Sequence, residues 1–268
     1  MLDRRLYLPE EWFDQDHRER WEKCGIAGEV SFKTKPELAL EMLRAAVAHG
    51  VLRFRWVACD EGYGKDPSFL DGVADMGLWY FAEVPHSTRV WSQTWQSQQT
   101  LPHTAVPERS GRGRRPTKER PLAGEPEPQR VDAIAATVPA DEWKVYRIKE
   151  GSKGPMAAAF AFRRVVAVRD RLPGPEVWLV LRRSLREEPE LKTYLSAAPA
   201  ATVHIELARV SGMRWPVETA LEDGKDRLGM DDYMVRTWLG WHHHMTECIL
   251  AHHFLVRVQQ RLEGGRLP

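Results

Sequence analysis

The order of apolar patterns in the first 85 residues constrains the fold more than any other feature of this sequence. Three short runs are typical of strands: "LDRRLYLP" (2–9), "RFRWVACD" (53–60) and "GLWYFAEVP" (77–85). Helical patterns separate these runs at 34–50 and within 67–76. The order strand, helix, strand, helix, strand predicts an α/β protein with a mostly parallel sheet.

The first of these helices has signals at both ends. Thr34 and Glu37 form the capping pattern T-x-x-E, and Pro36 suits a first helical turn. Apolar residues follow at helical spacing: Leu38, Met42, Ala45 and Ala46. We therefore predict a helix that begins after Thr34 and ends before Gly50.

The sequence changes character at about residue 86. The segment 107–130 is rich in Pro, Gly and Arg and is predicted to be a long mobile loop. Its basic cluster contains Arg109, Arg112, Arg114, Arg115, Lys118 and Arg120. Two interpretations stay open: an arm that follows the phosphates of nucleic acid, and a solvated linker, which is the commoner case.

The second half of the chain contains further strand and helix patterns. Three segments are predicted as consecutive strands: 143–148, 158–170 and 176–184. A helical segment is expected to begin near residue 204, and a last helix is expected from about Asp232 to Arg261.

Composition excludes several classes of protein. Because 39 Lys and Arg residues balance 38 Asp and Glu residues, net charge indicates no partner. Three cysteines without C-x-x-C spacing argue against a disulfide framework and fit a reducing cytosol: Cys24, Cys59 and Cys248. No apolar run approaches the ~18 residues of a membrane span. We expect a cytoplasmic protein with no membrane partner.

Two carboxylates are candidate site residues. Asp60 follows an apolar strand, and sites in α/β sheets form at the carboxyl ends of strands. The alternative for Asp60 is a capping or turn role. Glu218 lies in "RVSGMRWPVETALEDGK" (209–225), where Arg214 and Lys225 fall on the same helical stripe. The alternative for this stripe is a salt-bridged surface helix.

Carboxylates that converge from a strand end and a helix form an oxygen-rich site suited to Mg²⁺ or Mn²⁺. Two such ions can activate a water or a 3′-hydroxyl and stabilise the leaving oxygen of a phosphodiester. Arg and Lys side chains beside the carboxylates would hold the phosphates of the same strand. The mixed charge of the stripe is therefore typical of a site that acts on nucleic acid.

A histidine-rich stretch competes as a site. "HHHMTECILAHH" (242–253) places His244, Cys248 and His252 at i, i+4 and i+8, where two side chains could share a zinc ion. Three ligands on one straight helix reach a single ion poorly, because i and i+8 are about 12 Å apart along the axis. Helix packing explains the stretch better, with these residues facing inward: Trp238, Met245, Ile249 and Phe254.

Arg214, Glu218 and Lys225 fit the pattern R-x3-E-x6-K. With this spacing the chain resembles the DDE transposases of bacterial insertion sequences, in the group marked by Y-x2-R-x3-E-x6-K. Ser211 stands at the position of the tyrosine. Similar stretches are spread over most of the chain: "LDRRLYLPEEW" (2–12), "KPELALEML" (35–43), "WVACDEGYGKDP" (56–67), "IKEGSKGP" (148–155), "WLVLRRSL" (178–185), "GMDDYMVRTW" (229–238) and "GWHHHMT" (240–246).

The resemblance implies a ribonuclease H-like core, interrupted by a β-rich insertion before the catalytic C-terminal helix. A partial core would span residues 1–85 and the insertion, with its basic loop, residues 86–203. The helical C-terminal part of the core would span residues 204–268.

The resemblance also implies roles for the candidate residues. Asp60 would be the second catalytic acid and Glu218 the third, and both would bind Mg²⁺ or Mn²⁺. Arg214, Lys225 and the position of Ser211 would contact the DNA of the transposon ends.

The first catalytic Asp of this family lies on a strand upstream of the segment that resembles "LDRRLYLP". Here that segment begins at residue 2, so the resemblance implies a core that lacks its first strands and its first acid. Asp3 matches a later strand and is not assigned this role. We therefore expect a truncated or mis-started transposase that is inactive in isolation.

The implied partners are the DNA of transposon ends and of the target, and a homodimer in the DNA complex is compatible with the resemblance. Whether the chain itself is an enzyme stays open. One alternative is a non-catalytic DNA-binding remnant. Another is a ribonuclease H-like metal-dependent nuclease without strand transfer.

Overall fold

The computed structural model describes residues 3–92, 101–107, 117–151, 154–213 and 215–262. The contacts divide the chain into two compact units. The terminal unit comprises Met1–Leu52 and Arg214–Pro268, and the central unit comprises Arg53–Met213. Among the residues described, no helix is long and apolar enough to cross a membrane.

The bounds of the elements follow in chain order. The helices are α1 (Arg18–Cys24), α2 (Lys35–His49), α3 (Glu61–Gly64), α4 (Pro67–Asp75), α5 (Val131–Thr137), α6 (His204–Val210), α7 (Trp215–Leu228) and α8 (Trp238–Leu262). Short 3₁₀ helices occupy Glu10–Phe13, Gln15–His17 and Ala140–Glu142. The strands are β1 (Trp56–Cys59), β2 (Trp79–Glu83), β3 (Arg89–Ser92), β4 (Thr104–Ala105), β5 (Arg120–Pro121), β6 (Gln129–Arg130), β7 (Lys144–Gly151), β8 (Gly154–Arg169), β9 (Leu172–Arg183) and β10 (Leu191–Ser196).

One mixed sheet dominates the central unit. Its strand order is β1–β2–β10–β9–β8–β3–β6, with β7 paired to β8, while β4 and β5 form a separate ladder. Within the described part of the chain only β1 and β2 pair in parallel. The prediction of a mostly parallel sheet is therefore wrong. Residues 144–196 fold back in successive hairpins, whereas parallel neighbours need a longer crossover such as α3 and α4 provide.

Helices cover the apolar surface of this sheet. Leu207 of α6 packs in a buried cluster with Phe160 and Val180, all three at 0% exposure. Helix α4 contacts β2 and buries Phe69 and Val73. Since full burial of such a side chain stabilises the fold by about 1.5–3 kcal/mol, this cluster is a main source of the unit's stability.

The prediction for α2 is confirmed at both ends. The Thr34 hydroxyl accepts the N–H of Glu37 at 3.4 Å, and the Glu37 carboxylate accepts the N–H of Thr34 at 2.7 Å. The helix ends at His49, and Gly50 follows with a φ of +63°, a conformation that favours glycine. Local signals are sufficient to define this element.

The first predicted strand does not form, because residues 3–9 have no regular secondary structure. Arg4 instead reaches α8 within the terminal unit. Its Nη2 donates to the carbonyl oxygen of His242 at 3.2 Å and to the hydroxyl of Thr246. An alternating pattern indicates a half-buried extended segment but not which element lies beside it, and here that element is a helix.

The C-terminal helices differ from the prediction in their boundaries. The segment expected to be one helix from residue 204 contains two, with a turn at residues 211–213. The last helix begins at Trp238 and not near Asp232, because the Thr237 hydroxyl caps it by accepting the N–H of Gly240 at 3.1 Å. Phe254, which was expected to face inward, is 67% exposed.

Strands β7, β8 and β9 confirm the three strands predicted for the second half, whereas β3, β10 and α5 were not predicted. In the predicted loop 107–130, the described part contains β5 and β6. Lys118 and Arg120 belong to this described part. The other members of the basic cluster lie outside the described residues: Arg109, Arg112, Arg114 and Arg115.

Candidate active site

Asp60 directly follows β1, at the carboxyl end of the parallel pair β1–β2. Its backbone is extended (φ −84°, ψ 179°), and its carbonyl oxygen accepts the N–H of Tyr63 at 3.1 Å and of Gly64 at 2.8 Å. Asp60 thus ends the strand and begins α3. The residue is exposed, so its carboxylate is open to a ligand at the strand end.

Two glycines in the turn after Asp60 allow this arrangement. A Cβ atom at Gly64 would lie only 2.0 Å from the carbonyl oxygen of Glu83, so α3 can pack on the end of β2 only with glycine at this position. A Cβ atom at Gly62 would lie 3.0 Å from Oδ1 of Asp60. The position of Asp60 is therefore set by close backbone packing, which the sequence "EGYG" permits.

The surroundings of Asp60 are partly apolar and partly charged. Burial raises the pKa of Tyr63, and the negative charge of Asp60 raises it further, so this phenol stays protonated at neutral pH. Glu83 ends β2, the neighbouring strand, and its carboxylate pairs with the ammonium of Lys192 at 3.1 Å. A second carboxylate therefore lies at the carboxyl end of the neighbouring strand, and Lys192 neutralises its charge.

The second predicted acid lies in the terminal unit. Glu218 is in the first turn of α7 and Lys225 in its last turns, and both are exposed. They are seven positions apart, which places them on one stripe about 10 Å apart along the helix axis. The helix dipole favours a carboxylate in the first turn and a cation in the last. Arg214, the third member of the predicted stripe, lies outside the described residues.

Helix α8 holds the end of α7. Nε2 of His244 lies 3.1 Å from the carbonyl oxygen of Gly229, and the Cys248 thiol donates to the carbonyl oxygen of Leu228 at 3.5 Å. Gly224 lets Met230 approach, because a Cβ atom at Gly224 would lie 2.7 Å from the Met230 Cε. The histidine-rich stretch therefore has a packing role, as predicted.

Ser211 ends α6 in the central unit and is buried. Its hydroxyl donates to the carbonyl oxygen of Ala208 at 2.6 Å. A contact between Ser211 and DNA stays a prediction. The structure brings Glu218 and Lys225 onto one stripe in the terminal unit, whereas Asp60 and Ser211 lie on separate elements of the central unit.

The chain is similar in sequence to a known protein family, and this similarity identifies its class. A family model described as "DDE superfamily endonuclease" matches residues 1–155, more than half of the 268 positions. This chain belongs to the DDE superfamily endonucleases. No curated protein matches it. The matched range includes Asp60, and Glu218 lies beyond it.

Membership of the DDE superfamily supports a transposase-type or nuclease-type function with DNA as the substrate. The mixed sheet and its covering helices are consistent with the ribonuclease H-like fold of DDE nucleases. The coarse prediction of an α/β DNA-processing protein is confirmed at this level.

DDE nucleases generally depend on divalent metals. No group of three or more His, Cys, Asp or Glu side chains that could hold a metal occurs among the residues described. Mg²⁺, however, is commonly bound by one or two carboxylates together with water and substrate phosphates. The exposed carboxylates of Asp60 and Glu218 are oxygen donors of this kind, so both fit Mg²⁺.

The ion pair of Glu83 and Lys192 at the end of β2 was not predicted from the sequence. Sites in α/β sheets form at the carboxyl ends of strands, and this rule indicates Glu83 as well as Asp60. Glu83 follows the apolar run "WYFA" at the end of the neighbouring strand. Lys192 gives no such signal, because its strand, β10, was not predicted and pairs with β2 only in the folded sheet.

Proposed function

We propose that this chain is a DNA transposase of bacterial insertion sequences, in the Y-R-E-K signature group, and acts on transposon ends in the cytoplasm. The observation that carries the proposal is the exposed Asp60 carboxylate at a strand end, inside the range matched by the DDE family. The spacing Arg214-x3-Glu218-x6-Lys225 supports the narrower group. The reaction of this group of transposases is phosphodiester hydrolysis followed by strand transfer.

In this proposal the carboxylates of Asp60 and Glu218 hold Mg²⁺ or Mn²⁺. When bound, the metal acidifies water and polarises the phosphodiester. Lys225 and Arg214 bind the phosphates of the transposon-end strand, since cations on the stripe of Glu218 neutralise the charge brought by DNA. Ser211, at the end of α6, is the remaining proposed DNA contact.

We further propose that the 268-residue chain does not cleave DNA by itself. A DDE site uses three catalytic acids, and Asp60 and Glu218 would supply two of them. Two carboxylates would bind a metal ion but leave the full set of metal ligands incomplete.

Metal binding tests the assignment. Mn²⁺ binding is measured by electron paramagnetic resonance in the presence of a short duplex taken from the DNA that flanks the gene. We expect Asp60→Asn and Glu218→Gln each to weaken Mn²⁺ binding at least about tenfold, the size of effect typical for metal sites. Asp75→Asn and Glu247→Gln remove exposed carboxylates elsewhere in the same units and should bind Mn²⁺ normally.

Unchanged Mn²⁺ binding by Asp60→Asn would reject the site. Cleavage of the same duplex with Mg²⁺ by the unmodified chain would reject the proposed inactivity, and a strand-transfer assay would then separate a transposase from a simple nuclease. The absence of cleavage together with specific binding of the duplex would agree with the proposal.

A further inference from the structure

Cationic side chains line a narrow cleft beside the turn that follows Asp60. The cleft has a volume of about 200 Å³ and is bordered by that turn, by the connection between β2 and β3, and by β8. Its cations are Lys65, Arg89 and Arg169, and the hydroxyl residues Ser87 and Thr88 also line it. Among the described residues that line it, none is a carboxylate.

A wider cleft of about 890 Å³ continues from the first, because Arg89 and Val168 line both. It extends to Arg171 at the tip of the β8–β9 hairpin and to Lys118 and Arg120. The cations thus form a continuous series on the central unit, from the turn after Asp60 to the hairpin tip.

Three cations of the narrow cleft and the hairpin tip are available to a ligand. Lys65, Arg89 and Arg171 are exposed, and none forms an ion pair with another residue in the described ranges. Arg169 differs, because its Nε and Nη2 both donate to the carboxylate of Asp71 at 2.8 Å. Lys65, Arg89 and Arg171 therefore carry uncompensated positive charge along the narrow cleft and the hairpin tip.

The wider cleft is less uniformly basic. Its walls also carry the carboxylates of Glu119, Glu125, Glu127 and Asp170. Glu125 already pairs with His103 at 2.8 Å, and Glu119 accepts the hydroxyl of Thr104 at 3.0 Å. The part of this surface with the most positive charge therefore consists of the narrow cleft and the hairpin tip.

The backbone at the hairpin tip supports a functional role for its cation. Asp170 and Arg171 form the two-residue loop between β8 and β9, with φ values of +50° and +68°. Hairpin loops with two positive φ values favour Asn and Gly, because an L side chain is strained in this region. Arg171 is therefore strained, and its charged side chain is exposed. Backbone strain of this kind is concentrated at functional positions.

We propose that Lys65, Arg89 and Arg171 form a path for the phosphate backbone of DNA across the central unit, separate from the stripe of Arg214 and Lys225. The proposal rests on the proposed function, since it takes DNA as the substrate. Phosphates of one strand would follow the cations from the turn after Asp60 to the hairpin tip. Such contacts position the duplex and carry no base specificity.

Salt dependence of DNA binding tests the path. The variant Lys65→Gln/Arg89→Gln/Arg171→Gln is compared with the unmodified chain by fluorescence anisotropy on a labelled duplex over a range of salt concentrations. Each lost phosphate contact lowers the slope of log K against log salt by about 0.9, so we expect a decrease of roughly 2 to 3. The control variant Arg53→Gln/Lys144→Gln/Arg186→Gln removes three exposed cations of the same unit outside both clefts and should keep the slope.

The outcomes separate this proposal from the proposed function. If the unmodified chain has no affinity for duplex DNA, both fail. If it binds and the triple variant keeps the slope, or if the control loses as much, the path alone is rejected.

Arg171→Gly provides a second readout that does not depend on the triple variant being folded. Because glycine relieves the strain at a positive φ, we expect a higher melting temperature together with a smaller salt slope. A purely structural role for Arg171 would not move stability and DNA binding in opposite directions. A raised melting temperature with unchanged DNA binding would remove the hairpin tip from the path.

Discussion

At the scale of single residues, Gly64 shows how a backbone contact sets the position of a charged side chain. Asp60 begins the turn that Gly64 ends, and this turn packs on the last residue of β2. The chemistry of Asp60 therefore depends on a residue without a side chain. Substitution at this position should act through packing and not through charge.

We expect Gly64→Ala to destabilise the central unit by about 1–3 kcal/mol, the usual cost of overpacking. The added methyl group would lie 2.0 Å from a backbone oxygen, so the turn must shift. Urea unfolding followed by tryptophan fluorescence measures the change. Gly28→Ala is the control, because nothing lies within 4 Å of its Cβ position, and it should stay within about 0.5 kcal/mol of the original chain. Equal stability of the two variants would contradict the packing argument.

At the scale of elements, the capping box of α2 makes the stability of that helix dependent on pH. Hydrogen bonds from Thr34, first from its N–H and then from its hydroxyl, lower the pKa of Glu37 below its ordinary value of 4.5. A carboxylate with a lowered folded-state pKa stabilises the fold above pH 4.5, and this contribution is lost as pH falls through the folded-state pKa.

Glu37→Gln removes the titrating group of the capping box. We expect this variant to melt below the original chain at neutral pH, with a difference that narrows as pH falls below 4.5. Thermal melts followed by circular dichroism over this pH range measure it. Glu11→Gln removes an exposed carboxylate outside any capping box and should show no such narrowing. A difference that is constant with pH would show that the charge of Glu37 has no role.

The elements that could be predicted from sequence are those defined by local signals. Helix α2 has its own caps, β7 alternates apolar and charged residues, and β8 and β9 have apolar runs, so these elements could be predicted. Strand β10 reads "LKTYLS", and its burial depends on pairing with β9, the preceding strand, and with β2, which is distant in sequence. The site divides in the same way: a strand end indicated Asp60, whereas Lys192, which pairs with Glu83, is placed by strand pairing alone.

At the scale of the whole molecule, the two units differ in how the chain builds them. The central unit is one continuous segment, Arg53–Met213, and its buried cluster lies entirely within it. Compact continuous segments with their own core generally fold alone. The family match ends inside this unit, at residue 155, where β8 has only begun.

We expect residues 53–213 expressed alone to unfold cooperatively and to keep the near-ultraviolet circular dichroism of their tryptophans. A fragment of residues 1–155 should lack this signal, because it contains neither β9 nor β10, which join β8 to β2 in the sheet. Urea unfolding of both fragments is the measurement. A folded 1–155 fragment, or an unfolded 53–213 fragment, would contradict the division into units.

The terminal unit has a consequence for the order of events during synthesis. Arg4 binds the carbonyl oxygen of His242, which is 238 positions away. At about 5–20 residues per second, the ribosome completes this stretch roughly 10–50 s after it makes Arg4. The central unit can fold in that interval, while the first segment waits for α8. The unit that carries Glu218 is therefore completed only after α8 has been made, and the nascent chain can hold Asp60 in place before the helix of Glu218 exists.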